Sequence, residues 1–272
     1  MKRALVFPLA WAILLTISAQ GQQNATPAGA TAVHTLDGHP DLSGIWQYSI
    51  DLPGVALKKQ VNGSVEIKKV DLSGRRPAKI PVPDALPFTA APSYKPEFQA
   101  KVKYLFDNEA KLDKVFFCGK PGVPRIGSPR QIIQLPNEMI FLYEDMSGDP
   151  YRIIPTDGRP HRAEADPSYY GDSIGHWEGN TLVVDATNFV DETWFGEGGY
   201  FHTSALHVTE RFWRVGDNLA YQVTVEDRNV LTEPWTEAPR LVKPSDDPPQ
   251  ESPACIEDDS KRMLNLDHHG QR

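Results

Sequence analysis

A histidine and a glutamate stand at the outer ends of two strand-like runs: His207 opens HVTERF and Glu226 closes YQVTVE. Folded back on each other about Gly216-Asp217, the runs place an imidazole across from a carboxylate, the arrangement of a base held by an orienting acid. Arg211 falls on the same face, where a guanidinium could stabilise negative charge developing on a substrate. A second imidazole and carboxylate, His176 and Asp185, lie on either side of Gly179-Asn180 in SIGHWEGNTLVVDATNF. These five residues could move protons in an isomerisation, an elimination or a hydrolysis. The same pairs also occur as solvated cross-strand neighbours worth under about 1 kcal/mol, so the sequence leaves open whether the chain is an enzyme. His176 and His207 with Asp185 or Glu226 could instead hold Zn²⁺ or Fe²⁺. No HExxH-like spacing is present, however, and no metal or other cofactor is expected. Ser128 and Ser204 lack the turn of a hydrolase nucleophile.

The turns predict which residues meet. With Gly216-Asp217 as a two-residue turn, Arg214 faces Leu219, Phe212 faces Tyr221, Glu210 faces Val223 and Val208 faces Val225. The opposite face then carries Trp213 with Ala220, Arg211 with Gln222, Thr209 with Thr224 and His207 with Glu226. This register separates an apolar face from a polar one, whereas a slip of one residue mixes them. At Gly179-Asn180 the same reasoning puts Trp177 with Leu182, Gly175 with Val184 and Ser173 with Ala186 on one face. His176 with Val183, Ile174 with Asp185 and Asp172 with Thr187 lie on the other. His176 and Asp185 become diagonal neighbours within mutual reach.

Further strands are predicted at 44–48, 130–135, 138–145 and 151–156, besides 172–178, 181–189, 206–215 and 219–227. They are separated by Pro136-Asn137, Ser147-Gly148-Asp149-Pro150 and similar turn residues. About eight strands joined by short loops read as an antiparallel meander, which avoids exposed edges by closing into a lipocalin-like barrel. Prolines at 77, 81, 83, 87 and 92 make 51–94 an irregular excursion, with one possible hairpin around Val61-Asn62-Gly63-Ser64. Residues 95–112 carry Phe98, Val102, Leu105, Phe106 and Leu112 on one stripe and read as a single amphipathic helix packed outside the barrel.

One face of every strand must line the barrel interior, and the sequence does not say which. With the apolar face inward, Trp46, Tyr143, Trp177, Phe212 and Tyr221 line a pocket for a small, partly apolar molecule. The same aromatics could equally be core. Glu210 would then be buried and would need a partner such as Arg152. With the polar face inward, the lumen holds His176, Asp185, His207, Arg211 and Glu226. Small-molecule binding in the interior is the leading expectation, and acid-base catalysis in the same barrel is the alternative.

Residues 1–21 have the basic, apolar and small-residue layout of a secretory signal, and the apolar run is too short to span a bilayer comfortably. Residues 22–36 read as a flexible mature N-terminus, 37–258 as one domain and 259–272 as a polar tail. Export implies a secreted or periplasmic protein with no membrane insertion after cleavage. Loss of Lys2 and Arg3 leaves 26 of the 28 basic residues against 36 acids, so the mature chain is about ten charges negative. Such a surface repels phosphate backbones, and nucleic acid is not an expected partner. Cys118 and Cys255 are the only cysteines; in an exported chain they predict a disulfide, with a reactive thiol at Cys118 as the alternative. Oligomeric state is not legible.

The segments CGKPGVPR (118–125), GRPH (158–161), SIGHWEGNTLVVDATNF, LHVTERF and YQVTVED resemble a large family of secreted bacterial proteins with signal peptides and a lipocalin-like, calycin-type barrel. The resemblance covers residues 37–258 and implies export and a barrel; it implies no particular activity. Family members usually carry an acidic residue where Asn180 stands and a proline where Arg228 stands, so either turn could differ here.

Overall fold

Two tight turns govern the larger sheet. Gly179 and Gly216 have φ of +58° and +60°, the left-handed conformation that lets a strand reverse with the twist of its neighbour. The structure is a computed structural model and describes residues 34, 35, 37–47 and 82–255, with the backbone of 55–59 and 65–69. The expected signal at 1–21, most of 22–36, Pro77, Pro81 and the tail at 259–272 lie outside the described residues.

In chain order the elements are β1 (Gly44–Ile45), β2 (Val55–Lys59), β3 (Val65–Lys69), helices α1 (Pro96–Asp107) and α2 (Glu109–Leu112), and a 3-10 turn (Lys114–Phe117). Then come β4 (Gln131–Leu135), β5 (Glu138–Leu142), β6 (Tyr151–Pro155), β7 (Asp172–Glu178), β8 (Thr181–Thr187), β9 (Trp194–Gly196) and β10 (Tyr200–Phe201). The last are β11 (His207–Val215), β12 (Asn218–Glu226), β13 (Trp235–Thr236) and β14 (Arg240–Val242). One sheet runs β1-β4-β5-β6; another runs β13-β12-β11-β8-β7 with β14 beside β12; β9-β10 and β2-β3 are hairpins. The ladders between these strands are antiparallel.

Both predicted registers hold residue for residue, from His207↔Glu226 to Val215↔Asn218 and from Asp172↔Thr187 to Glu178↔Thr181. The hairpin expected around Val61 to Ser64 is the β2-β3 ladder. The short strands β9, β10, β13 and β14 have no counterpart in the sequence reading, because two or three residues show no periodicity.

The apolar faces of the two larger sheets meet. Phe141 on β5 contacts Phe212 on β11 edge to face at 5.0 Å, and Phe212 packs on Tyr221 at 4.9 Å. Between the sheets lies the ion pair of Arg152 Nη1 with Glu210 Oε2 at 2.6 Å. Arg152 also donates to Tyr143 Oη (3.1 Å) and Ser173 Oγ (2.8 Å), and Tyr221 Oη donates to Glu210 Oε1 (3.1 Å). Glu210 therefore has the partner that its burial demands. On one side the sheets are joined, since Gln47 N–H donates to Lys243 O (2.8 Å) and Ser245 N–H to Ile45 O (2.9 Å). On the other side β6 and β7 are adjacent, and no ladder joins them among the described residues. A Cβ on Gly175 would stand 3.0 Å from Thr156 Cγ2 and 3.1 Å from Ile154 Cγ2, so a side chain here would press on the end of β6 and make those methyl groups give way.

The expected single helix is two helices, broken at Asn108 (φ −119°, ψ 18°). The Asn108 side chain donates to Tyr104 O at 2.9 Å, the local competition with helix that asparagine favours. Phe98, Val102 and Leu105 pack on the core. Phe106 and Leu112, past the end of that contact, are 58% and 40% exposed and so do not belong to the core as the stripe had suggested. Cys118 and Cys255 form a disulfide across 137 residues, a linkage suited to an oxidising compartment. Among the described residues no helix is long and apolar enough to cross a membrane.

Candidate functional site

The polar faces of β7, β8, β11 and β12 point away from the core. His207 and Glu226 stand opposite each other at one end of the β11-β12 hairpin. Asp185 on β8 pairs with Thr209, so His207, two residues along, is its diagonal neighbour on that face. His207 Nε2 lies 2.6 Å from Asp185 Oδ2, and Nδ1 lies 3.6 Å from Glu226 Oε2. The other oxygen of Asp185 is engaged too: Oδ1 is 2.7 Å from Nε2 of His161, whose Nδ1 is 2.9 Å from Asp172 Oδ2. Asp172 is in turn held by Arg162, through its backbone N–H at 2.9 Å and Nε at 2.6 Å. Carboxylates and imidazoles thus alternate across four strands and the β6–β7 connection as Glu226, His207, Asp185, His161 and Asp172.

The charges follow from these contacts. Burial alone would raise the Asp185 carboxyl, but hydrogen bonds with His207 and His161 outweigh it and hold Asp185 below the usual carboxylate range. Burial also opposes ionisation of Asp172, and the bonds from Arg162 and His161 again prevail and lower it. The hydrogen bond to Asp185 lifts the His207 imidazole above its ordinary value against the opposing effect of burial, with Glu226 adding to the rise. An anionic Asp185 behind a readily protonated His207 is the electrostatic outcome.

His207 and Glu226 line an open groove of about 420 Å³, together with Ala205, Asp227, Leu231 and Pro234. Asp227 shapes its wall: the carboxylate accepts from Thr203 N (2.6 Å) and Asn229 N (3.0 Å), and its carbonyl accepts from Val230 N and Leu231 N. His207 and Glu226 have side chains 34% and 48% exposed, enough to meet a molecule in the groove.

Two of the five expected acid-base residues lie elsewhere on the face. His176, diagonal to Asp185 in the register, is exposed and turns to Glu178, its Nε2 3.3 Å from Glu178 Oε1, while the oxygens of Asp185 bond His161 and His207. Arg211 donates to Glu178 Oε2 at 2.7 Å; four residues along β11 from His207, it is about 13 Å away at the strand rise. The set imagined for a metal, with His176 in it, is therefore not assembled, and no group of three or more His, Cys, Asp or Glu among the described residues has a metal-holding arrangement. Trp46, Tyr143, Phe212 and Tyr221 are buried in the core. Arg214 stacks over Trp46 at 4.6 Å, and Trp177 stacks on His39 at 4.5 Å.

Sequence reasoning missed His161 and Arg162. They sit in the connection from β6 to β7, where no periodicity assigns a direction to a side chain. The only sign of His161 was its place in the GRPH segment. No protein-family model, no curated protein and no solved structure matches the chain.

Proposed function

We propose that the protein performs acid-base chemistry on a small molecule held in the groove beside His207. His207 is the proton donor, Asp185 orients it, and Glu226 across the ladder accepts the substrate proton, which suits an isomerisation or an elimination. The observation that carries this reading is the 2.6 Å contact between His207 Nε2 and Asp185 Oδ2. It commits one ring nitrogen to an orienting carboxylate and leaves Nδ1 on the side of Glu226, which lines the groove with it. The imidazole, lifted above its ordinary value by Asp185, supports the donor role, with rate falling as pH rises through the imidazole's midpoint. The interior offers less support for binding, since Phe212 and Tyr221 pack on each other, Tyr143 and Tyr221 hydrogen-bond Arg152 and Glu210, and Trp46 and Trp177 stack on Arg214 and His39.

The strand order and the hydrogen bonds that join β1 to the segment after β14 support a barrel of lipocalin-like kind with a seam between β6 and β7. The sequence resemblance, the signal-like N-terminus and the disulfide support an exported member of the secreted bacterial family described above. The test of the activity is a thermal-shift screen of small hydroxylated, unsaturated and ester-bearing molecules, followed by mass-spectrometric assay of the hits for conversion. His207→Ala should retain the fold and lose about 10²-fold or more in rate, the usual contribution of a general acid. Conversion at the wild-type rate by folded His207→Ala would overturn the reading.

A further inference from the structure

Asp185 is a short side chain, and a carboxylate with one partner can turn about a soft terminal torsion. Its side chain is 30% exposed, so water competes for the oxygen facing His207. Here the second oxygen is occupied by His161 Nε2 at 2.7 Å, and the far side of that ring is anchored by Asp172 at 2.9 Å. Asp172 opens β7 and accepts both the backbone N–H and the side-chain Nε of Arg162, so the residue next to His161 is fixed on the same carboxylate. A ring from a connecting segment is thus clamped at both nitrogens over the sheet face, although nothing in the proposed reaction touches it.

We infer that His161 is a positioning residue for His207: by holding Asp185 Oδ1, with Asp172 and Arg162 behind it, it keeps Oδ2 aimed at His207 Nε2. This inference rests on the acid-base reading of His207 and deepens it. The groups facing His207 are Asp185 from β8 and Glu226 from β12; those facing His161 are Asp172 from β7 and Asp185, with Arg162 beside them. Removing His161 therefore has two opposite effects on His207. Loss of aim weakens the bond that favours the imidazolium, and loss of a competing donor frees Asp185 to serve His207 alone. A positioning role requires the first to win, because hydrogen bonds weaken steeply with misalignment.

The test follows the imidazole nitrogens of His207 in the full chain by nitrogen-15 NMR as pH is varied, in the wild type, His161→Ala, His161→Gln, Asp172→Asn and Asp185→Asn. The His207 midpoint should fall in His161→Ala and in Asp172→Asn. It should stay near the wild type in His161→Gln, whose amide N–H can still donate to Asp185 Oδ1, and fall furthest in Asp185→Asn. An unchanged or raised midpoint in His161→Ala, with Asp185→Asn still lowering it, overturns the role of His161 and leaves the acid-base reading standing. No fall in Asp185→Asn overturns both. Should His161→Ala fail to fold, His161→Leu, which keeps bulk over the sheet face and changes no carboxylate but cannot donate to Asp185, replaces it: a fall there with none in His161→Gln supports the role, and no fall in either overturns it.

Discussion

Replacing Arg152 by methionine isolates the ion pair it makes with Glu210 between the sheets. Glu210 has no exposed surface, and Arg152 is 4% exposed. After the change Glu210 retains only the Tyr221 hydroxyl, 3.1 Å from Oε1, and Tyr143 and Ser173 lose their guanidinium donor. Removing one partner of a buried pair costs about 3–5 kcal/mol, because the other charge is left without compensation. Each kcal/mol lowers the melting temperature by roughly 2–4 °C in a chain of this size, so Arg152→Met should melt about 6–20 °C below the wild type. Arg152→Met with Glu210→Leu should recover most of the loss, since both charges leave together and the volume stays apolar. Urea unfolding followed by tryptophan fluorescence, run as a double-mutant cycle, measures the coupling. A single variant within about 1 kcal/mol of the wild type, or a double variant as unstable as the single, would refute the account of a desolvated pair that matters through its partner.

The pH dependence of stability has two limbs. His207, with its imidazole raised, contributes fully below its unfolded value of 6.5 and loses that contribution as pH rises through the folded value. Asp185 and Asp172 are lowered and contribute fully above 3.8, losing it as pH falls through their folded values. Melting temperatures across pH 3 to 9 should show both limbs in the wild type, and Asp185→Asn should flatten both; an unaltered profile in that variant contradicts the network. Gly175→Val should destabilise by about 1–3 kcal/mol through overpacking against Thr156 and Ile154, and a neutral change in urea unfolding counts against the close approach of β6 and β7. Reducing the Cys118–Cys255 disulfide, which closes 137 residues, should cost up to about 5 kcal/mol in the chain-entropy treatment; unfolding with and without reductant reads it.

Local chemistry was enough to determine the hairpins. Gly216-Asp217 and Gly179-Asn180 specify reversals, and the period of two in the flanking residues then sets every pair, including His207 with Glu226. The need of Glu210 for Arg152 was also legible, because an apolar run that includes one carboxylate implies a buried partner. What faces the core was not legible: either face of a strand can be buried, and the packing of Phe141 on Phe212 across the two sheets assigns the polar face to the side away from that core, where Trp213 and Gln222 are covered in turn by the segment holding Pro83 and Leu86. The break at Asn108 and the exposure of Phe106 and Leu112 depend on where the helix loses contact with the core, which helical periodicity does not encode. Asp185 has His176 and His207 as diagonal neighbours on one face; it bonds His207 and, through the course of the segment between β6 and β7, His161. Strand periodicity carries side-chain direction along the ladder, whereas an irregular connection derives its direction from the surface on which it settles, so tertiary structure alone brought His161 to Asp185.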